Sequence, residues 1–240
     1  MKVKSLLLSY LLLFSFVSPV MAEITVAKDD PAYTLASVSV TEVPVSNFEY
    51  KVPPKVPTPN PAPTPNNPIN EISIIIDSMI ALGKKLWPII DAGRPVITDR
   101  LAPSVSIIPR TDLAQAVLYE MENWSAPAVK RYRVAYKNKL GSDVVAFTYT
   151  VYFQYNGSWN NIGKYVTSLK VEASEIYTSW GFNLDATSEM INISNVGTKE
   201  APIGSGIIQV SYKVKGYLNE VRSAQSFFVD GEGNIQLLNN

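Results

Sequence analysis

The most regular alternation of apolar and polar positions runs from Val144 to Tyr155. There Phe147, Tyr149, Val151, Phe153 and Tyr155 share one face, and Thr148, Thr150 and Gln154 share the other. A period of two marks a half-buried β-strand, because successive side chains leave opposite sides of the backbone. Tyr152 interrupts the polar face. Burying the five large side chains would contribute roughly 1.5 to 3 kcal/mol each, which places this strand at the centre of the expected core. The same phase flanks it, through Tyr132, Val134 and Tyr136 in 129–137 and through Tyr165, Leu169 and Val171 in 164–172. Turn residues at Asn138 to Ser142 and at Asn156-Gly157-Ser158 predict antiparallel hairpins between them. Alternation continues over Ile176 to Ala186, with Trp180, Phe182 and Leu184 in phase. Ile207 to Leu218 and Val221 to Val229 predict a hairpin around Asn219-Glu220, and Asp230-Gly231 leads into a short strand at Ile235 to Leu238.

Two segments carry a helical period instead. Ile72, Ile75, Met79, Leu82 and Leu86 fall three and four residues apart, with Asn67 as a cap, Pro68 in the first helical position, and Gly93 and Pro95 as a stop. Pro88 would kink or end that helix near Leu86. The stripe is too short for a coiled coil, so the helix is expected to pack on its own β domain. Asp112 to Trp124 is rich in helix formers, with Thr111 or Asp112 as cap, and predicts a second, short helix. The fold class is therefore mainly β: an antiparallel β-sandwich or a strongly curved meander sheet of about seven strands, with one N-terminal amphipathic helix packed on it. A closed outer-membrane barrel is disfavoured, because Arg131, Arg133, Lys213 and Lys215 lie opposite the apolar face, where a barrel would meet lipid.

The N-terminal third differs in composition. Lys2 and Lys4, the uncharged apolar run Leu6 to Val17, and Val20-Met21-Ala22 have the three parts of a cleavable secretory signal peptide over residues 1–22. The run is shorter than the roughly 20 residues of a membrane span, and Ile69 to Ile90 carries Glu71, Asp77, Lys84 and Lys85. No transmembrane span is expected after cleavage, and the expected location is periplasmic or secreted. Residues 23–52 alternate weakly around Leu35, Val38, Val40 and Val43 and form either a short strand or a loose arm. Residues 53–68 contain 8 prolines in 16 positions, an extended spacer reaching on the order of 50 Å. Residues 69–240 form the helix plus β domain.

Charge and composition narrow the chemistry. Without Lys2 and Lys4 the mature chain has 21 − 2 = 19 basic and 21 acidic residues, a balance of −2, with no basic patch for nucleic acid. The chain has no cysteine and no histidine, so Ser-His-Asp and Cys-His nucleophiles, histidine-held zinc or haem, and thiol redox chemistry are excluded. Carboxylate chemistry survives, and Glu172 with Glu175, or Asp185 with Glu189, are the pairs to consider for a glycosidase. Nothing in their spacing supports that role, and acids at strand ends or joints usually face solvent. Asp230 to Asn234 has acids and glycine but not the spacing of a calcium loop, so a hairpin turn is expected, with no metal or cofactor. Asn123, Asn156 and Asn192 head N-glycosylation triplets, relevant only to a eukaryotic source. Tyr152, Trp159 and Tyr177 are candidate stacking aromatics for sugar rings, with Trp159 beside Asn160-Asn161 in a hairpin loop. Packing under a second layer is the competing explanation for them.

PIIDAGRPV at Pro88 to Val96 and RVAYKNKLGSDVVAFTYTVYFQY at Arg133 to Tyr155 resemble segments of small exported proteins of predatory Gram-negative bacteria. The resemblance covers about Ile69 to the C-terminus; it implies export and a β meander and carries no activity. Together these features lead to the expectation of an exported, non-enzymatic β module of the envelope or secreted fraction, binding an envelope protein or glycan. A carboxylate-dependent enzyme acting on extracellular polysaccharide is the alternative.

Overall fold

In the computed structural model, which describes residues 28–45, 75–76, 79–83, 85–96, 104–111 and 114–238, the period-two pattern becomes two antiparallel sheets. The strands are, in chain order, β1 (Leu35–Val43), β2 (Ile75–Ile76), β3 (Met79–Gly83), β4 (Leu86–Asp91), β5 (Arg94–Pro95) and β6 (Val105–Pro109). After the helix α1 (Ala114–Glu120) come β7 (Ala128–Asn138), β8 (Asp143–Trp159), β9 (Ile162–Thr178), β10 (Asn183–Asn195), β11 (Gly204–Lys215), β12 (Glu220–Asp230) and β13 (Ile235–Leu238). One sheet has the order β1-β7-β8-β9-β6-β3-β2, the other β13-β12-β11-β10-β4-β5, and neither closes on itself. The arrangement is that of a β-sandwich.

Its core is the apolar face read from the sequence. Phe147, Tyr149, Val151 and Phe153 of β8 are wholly buried, facing Val210 and Tyr212 of β11 and Phe227 of β12, which are also buried. Rings meet across the layers: Phe147 and Tyr212 with centroids 5.3 Å apart, Tyr132 and Phe227 at 5.1 Å. Two phenols satisfy their hydroxyls across the same gap, Tyr136 with Ser223 Oγ at 3.0 Å and Tyr149 with Gln225 Oε1. Register is strongly held, because a slip of one residue would turn every one of these rings towards water.

Among the described residues, no part of the expected helix over Ile72 to Leu86 is helical. Residues 69–74, 77–78 and 84 lie outside the described residues, and those described are β2, β3 and the start of β4. Met79 and Ala81 are buried while Ile80 and Leu82 are half-buried, a period of two. The segment is apolar at so many positions that a helical spacing can be picked out of it. Hydrogen-bonding partners decide the matter, and β6 supplies them along all of β3. Pro88 then ceases to be a flaw. It lies in β4 beside the edge of its sheet, where β5 pairs only with Ile90 and Asp91, and a missing amide is tolerated there.

Three turns also fall elsewhere than expected. Asn156-Gly157 lies inside β8, in a stretch of register shifts, and the reversal comes at Asn160-Asn161, both left-handed at φ 51° and 60° as a type I′ turn requires. The strand expected over Ile176 to Ala186 is interrupted between Thr178 and Asn183, where the chain crosses from one sheet to the other through Gly181 at φ 85°. The last long hairpin turns at 216–219. The short helix in the 112–124 stretch is α1, and Val117 buries its inner side.

Residues 1–22 and 53–68 lie outside the described residues. Of the two readings of the arm, strand is the observed one: β1 pairs with β7 from Leu35 to Val43. Since β1 and β2 are opposite edges of the same sheet, residues 46–74 connect two edges separated by six strand spacings, about 29 Å.

Candidate functional site

At one end of the sandwich three separate segments bring four aromatic rings together. Tyr33 precedes β1, Trp180 and Phe182 lie in the crossing between β9 and β10, and Tyr217 is in the turn between β11 and β12. Tyr33 stacks on Phe182 at 6.3 Å and 20°, and its edges meet Trp180 at 5.9 Å and Tyr217 at 5.7 Å. Trp180 and Tyr217 are 5.5 Å apart and tilted by 45°. Each of this last pair is more than half exposed, at 56% and 55%.

Side-chain and backbone hydrogen bonds tie these segments together. Asp30 Oδ1 accepts from Ala32 N at 2.8 Å, Asn138 Nδ2 donates to Ala32 O at 3.0 Å, and Lys139 N donates to Thr34 O at 3.0 Å. Asn219 clamps Leu35 from both sides, accepting from its amide at 3.0 Å and donating to its carbonyl at 3.1 Å. Glycines let the rings settle onto backbone. A Cβ at Gly181 would stand 2.6 Å from Tyr217 Cε2, and one at Gly216 would stand 2.9 Å from Phe182 Cε1. The outcome is a fixed apolar surface whose indole and phenol groups carry polar edges suited to a ligand that is apolar on one face and polar at its rim.

The aromatics picked out from the sequence are not brought together. Tyr177, paired with Ala146, and Trp159 mark opposite ends of the β8–β9 pair, about 40 Å apart along the strand, with Tyr152 between them. Tyr152 is occupied: its hydroxyl donates to Glu172 Oε1 at 2.6 Å and Lys170 Nζ lies 4.4 Å over its ring. Trp159 packs against the core. Tyr177 is 52% exposed on the outer face, three residues before Trp180. Sequence reasoning missed Tyr33 and Tyr217 and gave Trp180 and Phe182 to a strand. The available signal was an aromatic beside a glycine at a turn, Trp180-Gly181-Phe182 and Gly216-Tyr217.

The four acids considered for catalysis are each matched with a cation. Glu175 lies 3.1 Å from Arg131 and accepts from Thr148 Oγ1 at 2.7 Å; the hydroxyl first and the guanidinium next hold it below the usual carboxylate range. Glu172 is 2.8 Å from Lys170, Asp185 is 3.3 Å from Lys213, and Glu189 is 3.4 Å from Lys85. A general acid working near neutral pH needs the reverse, a carboxyl pushed upward by burial or by a like charge. The shallow groove on the outer face of β10, β11 and β12 has Asp185 as its one lining acid, among Thr187, Ser211, Lys213 and Arg222. At the 230–234 turn the Asp230 carboxylate accepts from the amides of Glu232 at 2.9 Å and Asn234 at 3.1 Å, which is turn closure. Among the described residues no three acids gather as metal ligands, and no helix is long and apolar enough to cross a membrane.

Comparison with family models, with curated proteins and with solved structures finds no match.

Proposed function

We propose that the protein is an exported, non-enzymatic binding module whose loop end, built from Tyr33, Trp180, Phe182 and Tyr217, holds pyranose rings of an envelope or surface glycan. The observation that carries this reading is the pair Trp180 and Tyr217, exposed to solvent yet fixed against glycine backbone and a second pair of rings. An exposed apolar patch that is rigid costs little ordering on binding. A sugar ring offers apolar C–H groups on its face and hydroxyls around its rim, matching rings that have an apolar face and a polar edge. The cation-matched acids support binding over the hydrolytic alternative.

Affinity electrophoresis in gels containing soluble neutral polysaccharides tests the reading. Each ring is expected to contribute about 1 to 2 kcal/mol, so Trp180→Ala and Tyr217→Ala each weaken binding about 5- to 30-fold while the thermal midpoint stays near that of the parent. Tyr152→Ala, whose ring face is already covered, leaves binding unchanged. Equal retardation of parent and Trp180→Ala would show that this end is not the contact surface.

A further inference from the structure

We infer that the outer edge of β1 is a self-association surface, on which a second copy of this chain pairs antiparallel about Ser39 and carries its aromatic end to the opposite pole of the dimer. Among the described residues, nothing forms a ladder with that edge. The other edge strands are short, two residues in β2 and β5 and four in β13, whereas β1 has nine; β12 is also open on one side over 220–225, but there it carries the charged pair Glu220 and Arg222. Short strands are one of the ways in which proteins protect an edge; lysine, proline or an inward charge are others. Leu35 to Val43 reads LASVSVTEV, with no lysine and no proline; its one charge, Glu42, lies on the inward face opposite Tyr132 at the far end of the strand, where Lys130 at 2.7 Å neutralises it, so the central stretch from Ser37 to Thr41 carries no charge.

The strand is complementary to a second copy of itself. With Ser39 facing Ser39 of the partner subunit, Val38 and Val40 pair with each other across the interface twice, and Ser37 pairs with Thr41. Glu42 then faces alanine, not a like charge. Val38 and Val40 lie opposite the buried residues Tyr136 and Val134 of β7, so they share the sheet's apolar face, yet Val38 is 41% exposed. A second β1 would add apolar neighbours on that face and place the hydroxyls of Ser37, Ser39 and Thr41 together on the other, both favourable cross-strand pairings. The near end of the strand is limited by Asn219, whose side chain already holds the amide and carbonyl of Leu35. Since β1 starts beside the aromatic loops and the two strands run oppositely, the two aromatic ends face away from each other. If the glycan reading is right, such a dimer bridges two surfaces and does not grip one surface twice.

The chain has no cysteine, so the register can be tested by single substitutions in the exported protein. Facing Cα atoms of an antiparallel pair are about 4.5 to 5.5 Å apart, within disulfide range. Ser39→Cys is expected to oxidise to a covalent dimer at least ten-fold faster than Thr41→Cys, whose counterpart across the interface is Ser37. Sedimentation should show the parent as a dimer at micromolar concentration and Val38→Lys as a monomer with an unchanged circular dichroism spectrum. A parent that sediments as a monomer up to 100-fold higher concentration, or equal cross-linking of the two cysteine variants, overturns the inference. Polysaccharide-coated beads separate it from the glycan reading: parent and Val38→Lys should both bind single beads, with only the parent bridging them. Absence of bead binding by both would count against the glycan alone, and bridging by Val38→Lys against the dimer.

Discussion

At the scale of single residues, the buried phenols and the glycines contacting aromatic rings set conditions that can be measured. Burial, with the Glu42 carboxylate adding to it, pushes the Tyr132 hydroxyl up to about 12, and burial raises Tyr149 and Tyr212 as well. An unfolded tyrosine titrates near 10, so below about pH 10 the phenols are protonated in both states and their contribution is complete. Above that the unfolded chain releases protons first, and stability falls as pH climbs towards about 12. The urea midpoint is therefore expected to hold steady to about pH 9.5 and then fall, with tyrosinate absorbance rising along with loss of structure. Tyr132→Phe should make that fall shallower; an unchanged slope would remove Tyr132 from the account. Gly157 is a steric case set by a ring, since a Cβ there would meet Trp124 Cη2 at 2.3 Å. Gly157→Ala should cost about 1 to 3 kcal/mol, seen as a lower thermal midpoint. The Asn156-Gly157 dipeptide looked like a reversal from its neighbours in sequence, but the glycine is there to admit a tryptophan from before β7. No local pattern announces a contact made 33 residues away.

Elements were legible where one side was wet and one side dry. β7, β8, β11 and β12 lie within a few residues of their expected limits, because their alternation carries both faces of the sheet. β2, β3 and β4 were not, because the apolar residues there are dense enough to fit a period of 3.6 as well as a period of two, and the hydrogen-bonding neighbours that decide between them come from β6 and β10. The β8–β9 reversal is a testable case of turn chemistry. Both Asn160 and Asn161 hold left-handed backbone, which asparagine tolerates and a β-branched residue does not. Asn161→Gly should raise stability by about 0.5 kcal/mol and Asn161→Val should lower it by about 1 to 2 kcal/mol, read from thermal midpoints. If both variants melt with the parent, the reversal is not under the control of this dipeptide.

At the scale of the whole molecule, the two sheets are joined by rings contributed from both, and Phe227 is central among them, 5.1 Å from Tyr132 and 6.1 Å from Tyr149. Phe227→Ala should cost about 3 to 5 kcal/mol and lower the urea midpoint in a single transition with its slope unchanged. Two separate transitions would show that the sheets unfold independently. The topology also alters the picture of the N-terminal part. The arm and the β domain share a sheet, with β1 and β2 as its opposite edges, about 29 Å apart. By itself the sequence determined the mainly β class, the inward faces of β7, β8, β9 and β11 and the absence of histidine and cysteine chemistry, since each of these is local pattern or plain composition. The tertiary structure alone decided that an apolar stripe is strand and not helix, that Tyr33, Trp180, Phe182 and Tyr217 form one surface, and that Tyr152, Trp159 and Tyr177 do not. Those outcomes depend on which distant segments supply hydrogen bonds and ring contacts, and residues 33 and 217 meet only after the strands between them have paired.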